Sequence, residues 1–237
     1  METSILAQHW SAALLPLWVS LKLAAVTTGC LLLLGTPLAY WLARGSRHQG
    51  IRRIKLLLMG IIALPLILPP TVLGFYLLLL MSPNFGLGHW LTAHGIPSLA
   101  FSFTGLVIGS IVYSLPFFVQ PVYAQFARVP RSVFEAASLL EPRPYRRFLL
   151  AILPQARVGI LLGALVSFAH TIGEFGVVLM IGGSISGETK VVSIAIYEQV
   201  EALSYTNAHI LSGLLIVLAL LLLTLIAAVS RYLPKPL

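Results

Sequence analysis

Hydrophobic residues fall into five long runs separated by short polar intervals. The runs cover residues 16–43, 56–81, 99–123, 152–183 and 208–231. Each approaches or exceeds the ~20 residues that a helix needs to cross ~30 Å of hydrocarbon. The pattern predicts an all-α, polytopic membrane protein with five transmembrane helices. A short segment over 1–15 leads in, and a tail over 232–237 follows.

The one long polar interval is 129–154. Ser132 and Glu135 have the spacing of a capping box, which predicts a helix starting there. Pro142 disfavours helical geometry at Glu141, so that helix ends near Leu140. A second short piece begins near Pro144, and Arg143, Arg146 and Arg147 give this interval a basic rim. Val133, Phe134, Ala137 and Leu140 recur at helical spacing. Phe134, Ala137 and Leu140 would form an apolar ridge for a soluble partner. The small Ala136 and Ala137 would let that partner approach the backbone.

Composition supports the membrane reading. The chain is 58% hydrophobic and 9% charged, with a mean hydropathy of +0.96, where a soluble domain has about a quarter of its residues charged. There is no aspartate, and Cys30 is the only cysteine. A disulfide or thiolate metal site within one chain is therefore excluded. No Lys or Arg precedes Lys22 and the first run is long, which is unlike a signal peptide.

The net charge of +8 would suit an anionic partner such as nucleic acid, but its distribution argues for orientation instead. Placing the 44–55 loop, the 122–157 interval and the C-terminal end on one side collects 13 of the 15 Lys and Arg. The positive-inside rule makes that side the cytoplasm. The N-terminus is then outside and the C-terminus cytoplasmic.

Three stretches carry candidate chemistry. Pro65, Pro69, Pro70 and Thr71 interrupt the second run, and prolines there break the hydrogen-bond ladder. Counted from Lys55, Pro65 lies ~15 Å into the membrane. Carbonyls freed at that depth must face protein or a water-filled path, so the break marks either a transport route or a packing kink. Gly173, Glu174, Phe175 and Gly176 lie in the fourth run. Glu174 falls ~30 Å beyond Pro154 along a straight helix, near the outer boundary. It reads as a gate element or as a carboxylate at the water interface, and His170 as a packing residue. Residues 182–189 have the glycine spacing of a phosphate-binding loop, but Glu188 stands at the lysine position and would repel phosphate. Two features are quieter. Lys22 reads as a snorkelling lysine or, in the sharper reading, as a charge that draws an anion inward. Ile196, Val200 and Leu203 predict the apolar face of an interfacial helix, with Glu198, Gln199 and Glu201 opposite.

The 129–154 interval resembles the coupling loop of ABC importer permeases. Glu135-Ala136-Ala137 and Leu153-Pro154 sit at that family's spacing. Glu141 stands where the family has Gly, and Ala151 where it has Ile, so the turn at Glu141-Pro142 must be made without a glycine. A narrower resemblance, to molybdate permeases of the oxyanion branch, rests on Gly173–Gly176, 182–189, Ser193–Tyr197, Val200–Leu203, 64–71 and 20–23. It spans residues 16–231.

The resemblance implies a type I ABC importer permease fold with a cytoplasmic coupling helix. The coupling residues would be Phe134, Glu135, Ala136, Ala137, Leu140, Glu141, Arg146, Leu153 and Pro154. It also implies a permease homodimer, two copies of a cytoplasmic ATP-binding subunit and a periplasmic oxyanion-binding protein. The permease itself would have no catalytic residue, metal or cofactor, and no nucleic-acid partner. Sulfate and tungstate remain alternative substrates. An ion-coupled secondary transporter and an intramembrane enzyme are the rival classes. The latter lacks a titratable cluster beyond His170 and Glu174.

Overall fold

In a computed structural model the chain is built from helices, and the structure describes residues 2–45 and 48–232. Arg47 and Lys235, both counted in the charge inventory, lie outside those residues. The first helix, α1, covers Glu2–Ala43. Of the segment expected as a separate lead-in over 1–15, residues 2–15 are continuous with the rest of α1. Five stretches of the described residues are long and apolar enough to cross a membrane: 14–43, 70–93, 103–127, 144–172 and 205–230.

The run expected as one span over 56–81 is two helices. Here α2 is Gln49–Ala63 and α3 is Pro70–Met81, with a 3₁₀ turn over Leu64–Leu66 between them. The prolines enforce this, since Pro65, Pro69 and Pro70 supply no backbone N–H and fix φ. Pro70 then serves as the first residue of α3, where a missing N–H costs nothing. A short helix α4, Gly86–Ala93, follows.

Helix α5, Phe103–Ala127, is the axis of the bundle. Ser102 caps it through Gly105 N–H, at 3.1 Å. α1 packs parallel to it, with Leu23 in the same apolar cluster as Leu106 and Leu31 in that of Phe118. After α5 come α6, Arg131–Leu140, and the single turn α7, Pro144–Arg147. A π-helical turn over Phe148–Ile152 and a 3₁₀ turn over Leu153–Ala156 lead into α8, Arg157–Ile172. The π turn bonds Leu153 N–H to Phe148 O just ahead of Pro154, whose nitrogen cannot extend the α ladder.

α8 and the next helix, α9 (Gly176–Gly182), run antiparallel to α5. Gly159 faces Pro121 and Gln125, Gly163 faces Phe118, and Gly182 faces Leu106. A Cβ on Gly163 would stand 2.8 Å from the Phe118 carbonyl oxygen, so only glycine permits this crossing. Gly159, Gly163 and Ser167 recur every four residues, the small-residue stripe of closely packed membrane helices.

Helix α10, Val192–Glu201, lies over the other end of the bundle. Its buried residues are Val192, Ile194 and Ala195. The face expected to be apolar packs only at Ile196, against Val192, Ala195 and Leu211, while Val200 and Leu203 are exposed. Helix α11, Tyr205–Ser230, buries only Ala208 and Leu211, leaving an apolar surface for lipid or another chain.

Candidate functional site

Two helix breaks meet inside the bundle. One separates the 3₁₀ turn at Leu64–Leu66 from α3. The other separates α8 from α9 and holds Gly173, Glu174 and Phe175. A Cβ on Gly176 would lie 2.8 Å from Pro70 Cβ, and one on Gly74 would lie 2.8 Å from Met180 Cβ. The two interrupted backbones thus touch each other, which answers the need for protein around polar groups at membrane depth. Of the expected pathway residues, Pro65 is buried and Pro70 half-buried against Gly176. Pro69, Thr71 and Gly173 face outward from the chain.

Glu174 is not at the water interface. It is 3% exposed, and its Oε2 accepts a hydrogen bond from Ser110 Oγ at 2.8 Å. Ser110 lies seven residues into α5, so the carboxylate sits below the end of the bundle. Straight-helix counting failed because α8 begins at Arg157 rather than at Pro154, and the chain climbs beyond Glu174 through α9. Ser193 Oγ donates to the Glu174 carbonyl at 2.6 Å, while Oε1 has no hydrogen-bond partner among the described residues.

The polar seam continues along α5 and α8. Ser114 Oγ lies 2.9 Å from Thr171 Oγ1 and 3.0 Å from His170 Nδ1. Thr171 Oγ1 also donates to Ser167 O. His170 is stacked on Phe117, with centroids 3.9 Å apart, beside Tyr113. It is a partnered packing histidine.

Lys22 is exposed, with Nζ 4.4 Å from the centre of the Phe103 ring. Residues 182–189 do not form a phosphate cradle. Thr189 Oγ1 donates to Gly182 O and accepts from Ile185 N–H, which closes the loop on itself. Glu198 holds the adjoining Lys190 and Ser184. Partial burial pushes its carboxyl up, but the hydrogen bonds from Lys190 and Ser184 outweigh this and leave it below the ordinary glutamate range.

At the opposite, basic end, α6 and α7 form the expected helix pair with altered details. α6 starts at Arg131 with Pro130 as its N-cap, and no side chain caps it. The Ser132–Glu135 capping box is not made. Glu135 instead lies 3.5 Å from Arg131, one turn back on the solvent face. The turn at Glu141 uses extended backbone, φ −136° and ψ 108°, so no glycine is required there. Glu141 Oε1 accepts from Arg143 N–H at 3.1 Å, and Oε2 lies 3.6 Å from Arg146.

The expected ridge is split between two faces. Ala137 is buried, and the Phe134 ring lies 6.4 Å from Tyr40, against the bundle. Leu140 points the other way and is 85% exposed, beside Leu139 at 87%. Glu135 and Ala136 share that open face. Sequence spacing missed Leu139, which falls one residue outside the i, i+3 pattern through Phe134. The free surface therefore comprises Ala136, Leu139 and Leu140, with Tyr145, Leu149 and Leu150 also exposed beyond the turn. Leu153 is half-buried and Pro154 exposed.

Residues 35–234 match the family described as binding-protein-dependent transport system inner membrane component. The chain belongs to this family. It is 43% identical to the molybdenum transport system permease protein ModB of Azotobacter vinelandii, over 96% of this chain and 97% of that protein. Identity to the Escherichia coli ModB is 30%, over 94% and 95% of the two chains. A sulfate transport system permease protein, CysW of Synechococcus elongatus, is 32% identical over 84% of this chain and 69% of its own length.

The fold is shared with solved ABC transporters. A bacterial alginate ABC transporter, in complex with an alginate pentasaccharide-bound periplasmic protein, superposes with TM-score 0.69 at 18% identity. The match covers 94% of this chain and 79% of that one. An amino acid ABC transporter with histidines gives TM-score 0.62 at 19% identity, over 96% and 97%. The chain thus has the membrane-domain fold of an ABC importer.

Proposed function

We propose that this chain is the permease subunit of an ATP-driven importer that carries molybdate across the bacterial inner membrane. The supporting observation is the near full-length 43% identity to a protein named for molybdenum transport. Relatives named for sulfate transport match at 32% and 29% identity and over less of their length, so sulfate is the second reading.

In this reading the basic end faces the cytoplasm, because the 44–55 loop, the 122–157 interval and the C-terminal end hold most of the Lys and Arg. Two copies of the permease form the pathway, with α11 and the outward faces of the two breaks available to the second copy or to lipid. A separate ATP-binding subunit, two per transporter, docks on the exposed leucine face of α6. A periplasmic oxyanion-binding protein delivers substrate at the other end. The permease contributes no covalent chemistry. It supplies a path that opens to either side as the helix pairs shift.

The meeting of Pro70 with Gly176 is the suggested gating contact. Both breaks lack a continuous hydrogen-bond ladder, so small rotations there cost less than bending an intact helix. Glu174 and Ser110 would hold α8 and α9 to α5 during that movement. The test is uptake of labelled molybdate into proteoliposomes carrying the permease, its ATPase and the binding protein. Uptake should require internal-facing ATP, and excess sulfate should compete weakly. Uptake driven by an ion gradient without ATP would defeat the proposal. Equal competition by sulfate would defeat the substrate assignment alone.

A further inference from the structure

A cavity of about 530 Å³ lies between the ends of α1 and α5 and the start of α6. Its walls divide by chemistry. Tyr40, Phe126 and Phe134 provide aromatic surface, Arg44 and Arg131 provide positive charge, and no carboxylate is among the described residues that line it. Arg131 has Glu135 as an ion-pair partner, but both side chains are largely exposed and the pair is weak. Arg44 makes no ion pair among the described residues. Its guanidinium carbon stands 5.5 Å from the centre of the Tyr40 ring.

A third positive charge lies behind it. Lys55 Nζ donates to the carbonyls of Trp41 and Arg44, capping the end of α1. Burial, with the neighbouring Arg44 charge, lowers its pKa from the ordinary lysine value. Three positive charges are therefore gathered here, with Glu135 on Arg131 as the one carboxylate paired to them among the described residues.

Position adds a second constraint. Ala43 closes the apolar stretch of α1 and Ala127 closes α5, and both line the cavity. The cavity thus lies where two spans leave the hydrocarbon. Its volume falls in the ~300–1,000 Å³ range of small-molecule sites, far more than a bare tetrahedral oxyanion fills. Guanidinium forks match phosphate oxygens, and basic pockets between spans at the membrane surface suit acidic headgroups.

We propose that this cavity binds the headgroup of an anionic phospholipid. Arg44 and Arg131 hold its phosphate, and its glycerol end lies against Tyr40, Phe126 and Phe134. Since Arg131 and Phe134 belong to α6, an occupied site fastens α6 to the ends of α1 and α5. The inference does not depend on the transported substrate.

Native mass spectrometry of the detergent-purified permease with phosphatidylglycerol or phosphatidylcholine tests it. Phosphatidylglycerol should remain bound under conditions that strip phosphatidylcholine. The double variant Arg44→Ala with Arg131→Ala should weaken its retention at least tenfold. Ala127→Trp fills the cavity without changing charge and should weaken it similarly. Both variants should elute like the parent protein in size-exclusion chromatography. If the double variant does not, Ala127→Trp decides. Equal retention of the two lipids, or unchanged phosphatidylglycerol binding in Ala127→Trp, would overturn the proposal. Displacement of phosphatidylglycerol by millimolar inorganic phosphate would keep the oxyanion chemistry and overturn the lipid as its source.

Discussion

Glu174 keeps one carboxylate oxygen on Ser110 and leaves the other without a partner among the described residues, both inside the bundle. Ser110→Ala would strip the remaining donor from a buried acceptor, a loss of ~1–3 kcal/mol. The thermal unfolding midpoint of the purified protein should fall accordingly. Adding Glu174→Leu in that background should recover part of the loss, since a pair replaced by apolar groups leaves nothing unsatisfied. An unchanged midpoint in Ser110→Ala would show that the contact contributes nothing. At Gly163 the constraint is steric. A side chain there meets the Phe118 carbonyl and Val122, so Gly163→Leu should force α5 and α8 apart and destabilise by ~1–3 kcal/mol. Glu174 shows where sequence reading stops at this scale. Its residue type and glycine neighbours marked it, but its depth depended on where α8 begins. That start is set by the π and 3₁₀ turns around Pro154, which hydropathy does not register.

Helix α6 shows the same limit one scale up. Its end at Leu140 and the restart at Pro144 were legible, because proline restricts the backbone locally. The face that packs inward was not. Both faces carry apolar residues, Phe134 and Ala137 on one and Leu139 and Leu140 on the other. Periodicity cannot separate a surface for the bundle from a surface for a partner. Tyr40 decides, by offering its ring to Phe134 and drawing that side inward. Phe134→Ala should therefore loosen α6 from the bundle. Limited proteolysis should nick residues 128–148 faster in this variant than in the parent, and equal rates would contradict the assigned packing. The second run is the opposite case. Its three prolines announced the break, and only the partner of that break, Gly176, needed the structure to be seen.

For the whole molecule, five apolar stretches and a lopsided charge distribution were readable, because both are sums over many residues and tolerate local error. They predict that reporter fusions at Leu15 and Ser186 read outside the cytoplasm and fusions at Gly45 and Tyr232 read inside. A cytoplasmic signal at Leu15 would reverse the orientation. In the function proposed, a separate ATPase drives this permease through the exposed face of α6. The most direct test is substrate-stimulated ATP hydrolysis by the purified transporter, comparing the parent with Leu139→Glu paired with Leu140→Glu. Carboxylates there should leave the permease folded and inserted, since neither leucine packs within the chain. Buried without partners in a docked interface, they would cost several kcal/mol. The account predicts that the variant loses both the bound ATPase and substrate-stimulated hydrolysis. An ATPase that stays bound and responds normally to substrate would contradict it.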